Sequence, residues 1–305
     1  MSADLSIVLV TYNCEDWVDR CLNGLESGLA GLAAEVIVVD NASSDTSADR
    51  VAAHPEVQLI YNETNVGFAR AVNQGVARSS SPWILLLNPD MDLRPGSLKA
   101  LYDFAQSRPG HGIYGGRTLR PDGGVEPSSC WALPTVWSTA CFAFGLSTVF
   151  AKNKFFDPES MGSWPRDTVR QVGLVTGCLL LTPRAVWDDL HGLDEDYFVY
   201  GEDADFCARA RRRGYRPIIT PTAEVVHAIG VSSGSDGGKM KLLLAGKVSY
   251  AQRQFDAPGR AIAVALLRFG VGLRAAGSRI TGRGQKWAVA WSDRRYWWNG
   301  FSSQD

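Results

Sequence analysis

The 305-residue chain has no CxxC pair, and its six cysteines and four histidines never fall into zinc-ligand spacing. That excludes a zinc module. Cys14, Cys21, Cys130, Cys141, Cys178 and Cys207 instead read as reduced, buried thiols of a cytosolic protein. The formal net charge is -1, so there is no global basic field and no nucleic-acid partner is expected. No GxxxxGK[ST] stretch occurs, so any phosphate must be held by something other than a P-loop turn. The N-terminus enters a strand at once and lacks the basic-then-apolar pattern of an export signal. No uncharged apolar run reaches ~18 residues, so a spanning helix is not expected. The charge-free stretch 127–151 is interrupted by Pro134 and Gly145.

Against these absences, 45% hydrophobic and 21% charged residues describe a globular protein, long enough for a large α/β domain with an appendage. LSIVLVTY (5–12), EVIVVD (35–40), VQLIYN (57–62) and PWILLLN (82–88) read as strands. Helical spacing over 14–28, a helix through 48–53 and a glycine turn entering a helix after Asn65 separate them. The alternation predicts a doubly wound, mainly parallel sheet. A more mixed second half follows. It offers a strand over 174–182, a helix from Pro183, a helix from Asp203 capped at Gly214, and a strand leading to His227. Residues 231–239 (VSSGSDGGK) read as a mobile loop.

Functional loops in such sheets lie at the carboxyl ends of the strands. There the chain places Thr11 and Asn13, Asp40, Asn65, and then Asn88, Asp90 and Asp92. An acid at the end of the second strand suits base or ribose donors. Asp90 and Asp92 are either solvated turn residues or ligands of a hard cation that holds phosphates. In GEDADF, Glu202, Asp203 and Asp205 either cap a helix or supply a general base. His227 is a structural histidine or, if the fold brings it to Asp90, a ligand that manganese tolerates better than magnesium.

Taken in order, VLVTYN (8–13), VVDNASSD (38–45), NVGFARAVNQG (65–75), LLLNPD (85–90), TGCLLL (176–181), DEDYFVYGEDADFCARARRRGY (194–215) and AEVVHAIGVSSG (223–234) resemble the family-two inverting glycosyltransferases of GT-A fold. Within that family the likeness is to the bacterial rhamnosyltransferase-like branch, and it spans about residues 5–255. The resemblance implies a nucleotide-sugar-binding half (1–110), an acceptor-binding and catalytic half (111–257), and a C-terminal extension (258–305). It implies donor contacts at Thr11, Tyr12, Asn13, Asp40, Asn65, Gly67, Asn88 and Asp90. Asn88-Pro89-Asp90 falls on the family's metal motif, so a Mg2+ or Mn2+ ion would be held by Asp90 and His227, with Asp92 as an assisting ligand. Asp203 falls on the catalytic base, Glu202 on a residue orienting base or acceptor, and Thr176 and Gly177 on the acceptor border. The implied reaction moves a sugar, with dTDP-rhamnose favoured, to a polyprenyl-diphosphate-linked saccharide. A UDP- or GDP-sugar donor and a catalytically inactive sugar-nucleotide-binding relative are the alternatives.

Beyond residue 258, Ile262, Leu266, Phe269, Leu273, Ala276 and Ile280 recur at alternating spacings of four and three, a helical apolar stripe. Arg260, Arg268, Arg274 and Arg279 punctuate it, and Trp287, Trp291, Tyr296, Trp297 and Trp298 follow among basic residues. Such a segment lies on an anionic membrane surface at the cytoplasmic face, or packs on its own domain or on a second subunit of a homodimer.

Overall fold

The computed structural model describes residues 3–227 and 236–301. Its elements begin with β1 (Leu5–Thr11), α1 (Val18–Leu29), β2 (Ala34–Asp40), α2 (Ser47–Ala52), β3 (Val57–Tyr61) and α3 (Phe68–Ala77). Then come β4 (Trp83–Leu87), β5 (Met91–Leu93), α4 (Ser97–Gln106), β6 (Tyr114–Leu119), β7 (Val125–Glu126), β8 (Cys130–Trp131), α5 (Val136–Ala143) and α6 (Leu146–Val149). β9 (Arg170–Gln171), β10 (Leu174–Val175), β11 (Leu179–Pro183), α7 (Arg184–Asp189), α8 (Glu202–Arg212) and β12 (Ile218–His227) follow. The chain closes with α9 (Asp236–Gln254), α10 (Ala257–Thr281), α11 (Gln285–Ser292) and α12 (Arg294–Trp297).

Two compact units divide the chain: 1–131, 165–194 and 206–232 make the first, and 132–164, 195–205 and 233–305 the second. Two internal segments, 132–164 and 195–205, group with the C-terminal helices in the second unit.

In the first unit one sheet runs β3-β2-β1-β4-β11-β6-β12-β5, with β7 on β6 and β9 on β12. β3, β2, β1 and β4 are parallel, β11 is antiparallel to both β4 and β6, and β12 is parallel to β6. The expected mixed second half is therefore present. β1 is apolar on both faces because both are covered. Ile7 and Leu9 join a core with Cys21, Leu22 and Leu25 of α1. Val8 faces the other way, against α3, where an added Cβ on Gly75 would stand 2.6 Å from Val8 Cγ1. Only glycine permits that approach; Gly75→Ala would overpack the contact at a cost of about 1–3 kcal/mol.

The chain builds β2 and β3 on one side of β1 and returns to place β4 on the other. The carboxyl ends of β1 and β4 thus flank a topological switch point, where α/β sheets bind ligands. Two expectations need amendment in this unit. Residues 91–93 are not free turn but a short edge strand paired antiparallel with β12. The strand expected over 174–182 is broken by a Thr176-Gly177-Cys178 turn, and its first part pairs with β8 in a separate two-stranded sheet.

The second unit is helical. α9, α10, α11 and α12 enclose a core of Tyr197, Leu244, Val248, Leu267, Val271 and Trp297, among others. The face of α10 turned inward is made largely of small residues: Ala263, Gly270, Ala275 and Ser278 are buried. A Cβ on Gly270 would stand 2.6 Å from Ala143 Cα, so α5 and α10 meet almost backbone to backbone. The loop expected over 231–239 does not extend to its end, since α9 begins at Asp236; residues 231–235 lie outside the described residues.

Candidate active site

Strand register builds the first part of the site. Thr11 and Asp40 are paired residues at the ends of β1 and β2. Thr11 Oγ1 donates to Asp40 Oδ1 at 2.9 Å, and Ser43 Oγ donates to the same oxygen at 2.6 Å. Asp40 Oδ2 accepts the Ser43 backbone N–H at 3.0 Å. Asp40 is buried, and its carboxylate shapes the loop that follows β2. Asn13, at φ 50°, accepts from the Ser44 N–H at 2.8 Å, which ties the loop after β1 to the loop after β2. Tyr12 is exposed between them.

Asn41, not among the expected site residues, is the hub of this corner. Its Nδ2 donates to Asn65 Oδ1 at 2.8 Å and to the Gly67 carbonyl at 3.2 Å, while its Oδ1 accepts the Val66 N–H at 3.0 Å. Asn65 in turn accepts the Gly67 N–H at 2.9 Å. Gly67, at φ 87°, occupies the left-handed region that favours glycine and starts α3. Asn41 follows directly after the strand-end acid in VVDNASSD, which is the only sequence signal of its role.

After β4 the chain turns tightly. The Met91 N–H reaches the Asn88 carbonyl at 3.3 Å, and the Asn88 N–H bonds the Cys178 carbonyl at 3.1 Å. Asp90 is buried in this turn. Pairing of His227 with Met91 brings the imidazole to it, with Nε2 3.1 Å from Asp90 Oδ2. Asp90 Oδ1 is buried and has no hydrogen-bond partner among the described residues. Asp92 is placed otherwise: Arg20 of α1 holds its carboxylate at 2.5 Å. Among the described residues no three His, Cys, Asp or Glu side chains cluster for a metal.

Ser128 connects this pair to the expected acceptor border. Its Oγ lies 3.4 Å from His227 Nδ1, and its carbonyl accepts from Thr176 Oγ1 at 2.8 Å. Gly177 lies against the Phe68 ring, where an added Cβ would stand 3.2 Å from the ring edge. The structure therefore brings together Asp90, His227, Ser128 and Thr176. Cysteine chemistry has no part here. All six thiols are free and buried, and burial pushes Cys14 up to about 11 and Cys21 higher still.

The acids of the second unit stand at the start of α8. Tyr200, at φ 69°, and Gly201, at φ 110°, make the sharp entry. α9 presses on this entry: a Cβ on Gly246 would fall 1.8 Å from the Tyr200 carbonyl oxygen. Asp205 accepts a short hydrogen bond from Gln254 Nε2, and Arg253 grips Asp196 at 2.6 Å. Glu202 is buried, and its Oε2 has no hydrogen-bond partner among the described residues. Burial first, then the Asp203 and Asp205 charges, push its carboxyl up to about 8. It carries a proton at neutral pH and adds no charge beside Asp203. Asp203 is half-buried and accepts the Ala204 N–H at 2.7 Å.

Residues 6–166 match the Glycosyl transferase family 2 profile. The chain belongs to glycosyl transferase family 2. This glycosyltransferase is 31% identical over 255 residues to the N-acetylglucosaminyl-diphospho-decaprenol L-rhamnosyltransferase of Mycobacterium tuberculosis, covering 77% of this chain and 80% of that one. It is 23% identical over 250 residues to the dTDP-rhamnosyl transferase RfbF of Shigella flexneri, covering 76% of this chain and 72% of that protein. Among solved structures, the mannosyltransferase PcManGT of Pyrobaculum calidifontis, in complex with GDP-Man and Mn2+, superposes with a TM-score of 0.55. The identity there is 17%, over 97% of this chain and 80% of that one, so the likeness establishes the GT-A fold of this glycosyltransferase.

Proposed function

We propose that this glycosyltransferase moves L-rhamnose from dTDP-rhamnose to a hydroxyl of a polyprenyl-diphosphate-linked saccharide, with inversion at the anomeric carbon. The observation that carries the donor assignment is that two relatives from different organisms, both named for rhamnosyl transfer, each align over about three quarters of the chain. The acceptor class rests on the name of the mycobacterial relative. The work then falls at the cytoplasmic face of the membrane, during assembly of a cell-wall or surface polysaccharide.

The roles assigned to the residues rest on the family resemblance, and the geometry of each residue supports them. Thr11, Asp40, Asn41, Asn65 and Gly67 form a braced corner at the switch point, fit to present backbone and amide groups to the nucleotide. Tyr12 offers an exposed ring to the base. Asp90 and His227 fit a divalent cation: the buried Oδ1 of Asp90, a hard ligand, has no hydrogen-bond partner among the described residues, and His227 Nε2 lies beside Oδ2. These two residues would hold Mg2+ or Mn2+, which would supply positive charge against the leaving nucleoside diphosphate. Asp92, engaged by Arg20, is outside this set. Asp203 accepts the proton of the attacking acceptor hydroxyl as the new carbon–oxygen bond forms and the sugar–phosphate bond breaks. Glu202, protonated, donates toward the acceptor or the base, and Thr176 and Gly177 line the acceptor.

An inactive sugar-nucleotide-binding relative is disfavoured by the coexistence of Asp90, His227 and Asp203 in one chain. The test is a donor panel with the purified full chain and Mg2+ or Mn2+. dTDP-rhamnose consumption that depends on a polyprenyl-diphosphate-linked acceptor is expected. Preferential use of a UDP- or GDP-sugar overturns the donor assignment. Consumption of no sugar nucleotide with either metal overturns the enzyme reading.

A further inference from the structure

Large apolar side chains are exposed unevenly over this protein. Of the fourteen among the described residues, only Tyr12, Tyr61 and Val169 belong to the first unit; the other eleven belong to the helical second unit. Scattered surface apolar residues need no explanation, but a contiguous concentration does.

The concentration is contiguous because α5 and α10 are locked together. Besides the Gly270–Ala143 contact, Arg274 donates to the Phe142 carbonyl at 2.5 Å and stacks on the Phe142 ring, 4.1 Å from its centroid. This sets Phe144, just past α5, beside Phe269 of α10, with ring centroids 5.7 Å apart. Ile262, Phe269, Leu273 and Ile280 continue outward along α10, each more than half exposed. The stripe read in the sequence is thus the outward face of α10, while the inward face is the small-residue one. The C-terminal tryptophans follow the other expected arrangement and pack on their own unit. Trp297 is fully buried, and its Nε1 donates to the Ala290 carbonyl at 2.7 Å, while Trp287, Trp291 and Trp298 pack on the same core. The exposed aromatics of this unit are Phe269 and Tyr296 together with Trp137, Phe144, Phe150 and Phe155 from in and just after α5 and α6.

Charge selects the occupant. From residue 257 to 301 there are eight arginines and lysines and one acid, Asp293. Arg268 and Arg274 turn inward, onto the rings of Trp298 and Phe142. Arg260, Arg279, Arg283 and Lys286 are exposed around the stripe. A second copy would set this basic rim against its own image, whereas an anionic bilayer complements both the apolar stripe and its border. α10 is also long and apolar enough to span a membrane. Spanning would strip Leu267, Val271 and Ala263 out of the unit's core, so the helix is placed to lie on the surface.

We infer that the outward face of α10 and the adjoining Phe144 form one surface that docks on an anionic phospholipid membrane, in the plane of the interface. The surface stands independently of the donor assignment, because it is read without any sugar nucleotide. The test is flotation of the full chain with vesicles of phosphatidylglycerol and phosphatidylcholine, against phosphatidylcholine alone. Binding to the anionic vesicles that weakens with salt is expected. The Phe144→Ser/Phe269→Ser double variant should bind at least about tenfold more weakly, with an unchanged melting temperature. Tyr61→Ser should bind as the parent does. Should the double variant melt early, Arg279→Glu/Arg283→Glu serves instead, with the same loss confined to anionic vesicles. Undiminished binding by these variants, no binding by the parent chain, or retention through alkaline carbonate extraction overturns the inference. So does a parental dimer in light scattering that Phe144→Ser/Phe269→Ser abolishes, since a second copy would then cover the face.

Discussion

His227 Nε2 and Asp90 Oδ2 stand 3.1 Å apart although 137 positions separate them in the chain. The antiparallel pairing of β12 with β5 makes the contact, and the other Asp90 oxygen is buried with no hydrogen-bond partner among the described residues. A carboxylate oxygen in that condition is costly unless a cation or a donor completes it.

Asp90→Asn should therefore weaken Mn2+ binding, read by titration calorimetry without any sugar nucleotide, and lower kcat/KM by about a hundredfold or more. Unaltered metal affinity in this variant would argue against Asp90 as a ligand.

Asp92→Asn is the matching control. Its partner Arg20 is largely exposed, and such pairs contribute roughly 0–1 kcal/mol. Stability and metal affinity should both stay near those of the parent. A large loss of metal affinity would restore Asp92 to the ligand set.

Asp203→Asn should retain donor binding and lose turnover by about 10²- to 10⁴-fold, the usual contribution of a general base. Parental turnover by this variant would remove Asp203 from the base role.

Glu202 governs a pH dependence of stability. Its carboxyl ionises near the ordinary 4.5 in the unfolded chain but holds its proton to about 8 when folded. Across that window folding takes up a proton, so stability falls as pH rises from about 4.5 to 8. Glu202→Gln lacks this loss. Its melting temperature should gain on the parent's progressively over the window, whereas a gap independent of pH would show that burial does not hold the proton.

Gly246→Ala tests how α9 shapes the entry to α8. The added methyl would meet the Tyr200 carbonyl at 1.8 Å, a backbone atom that cannot swing aside. A destabilisation of about 1–3 kcal/mol is expected. Because the same shift moves Glu202 and Asp203, kcat should drop while donor KM changes little. Parental kcat would separate the helix entry from catalysis.

Much of the first unit was legible in the sequence. β1, β2, β3 and β4 lie within a residue or two of their expected positions, because apolar runs flanked by polar turns leave little choice. What misled was local context. Asp92 in DMDL is open in the sequence to a turn role or a ligand role, since nothing near it announces the partner strand β12. The strand over 174–182 looked continuous because Thr176 and Gly177 break it through contacts with Ser128 and Phe68, both distant in the chain. Local sequence does not mark Asn41, because its hydrogen bonds reach residues 24 and 26 positions away.

The sequence by itself determined the class of the fold, the family, and the identity of Asp90, Asp203 and His227 as candidates, since ordered motifs and hydrophobic periodicity are local properties. Only the tertiary structure decided which of two neighbouring acids meets the histidine. It also decided that the tail tryptophans turn inward while Phe144 and the α10 stripe turn outward. Helical periodicity shows that a face is apolar; it does not show what covers it. That depends on which other helix offers residues small enough to approach, and here Gly270 and Ala143 made the choice.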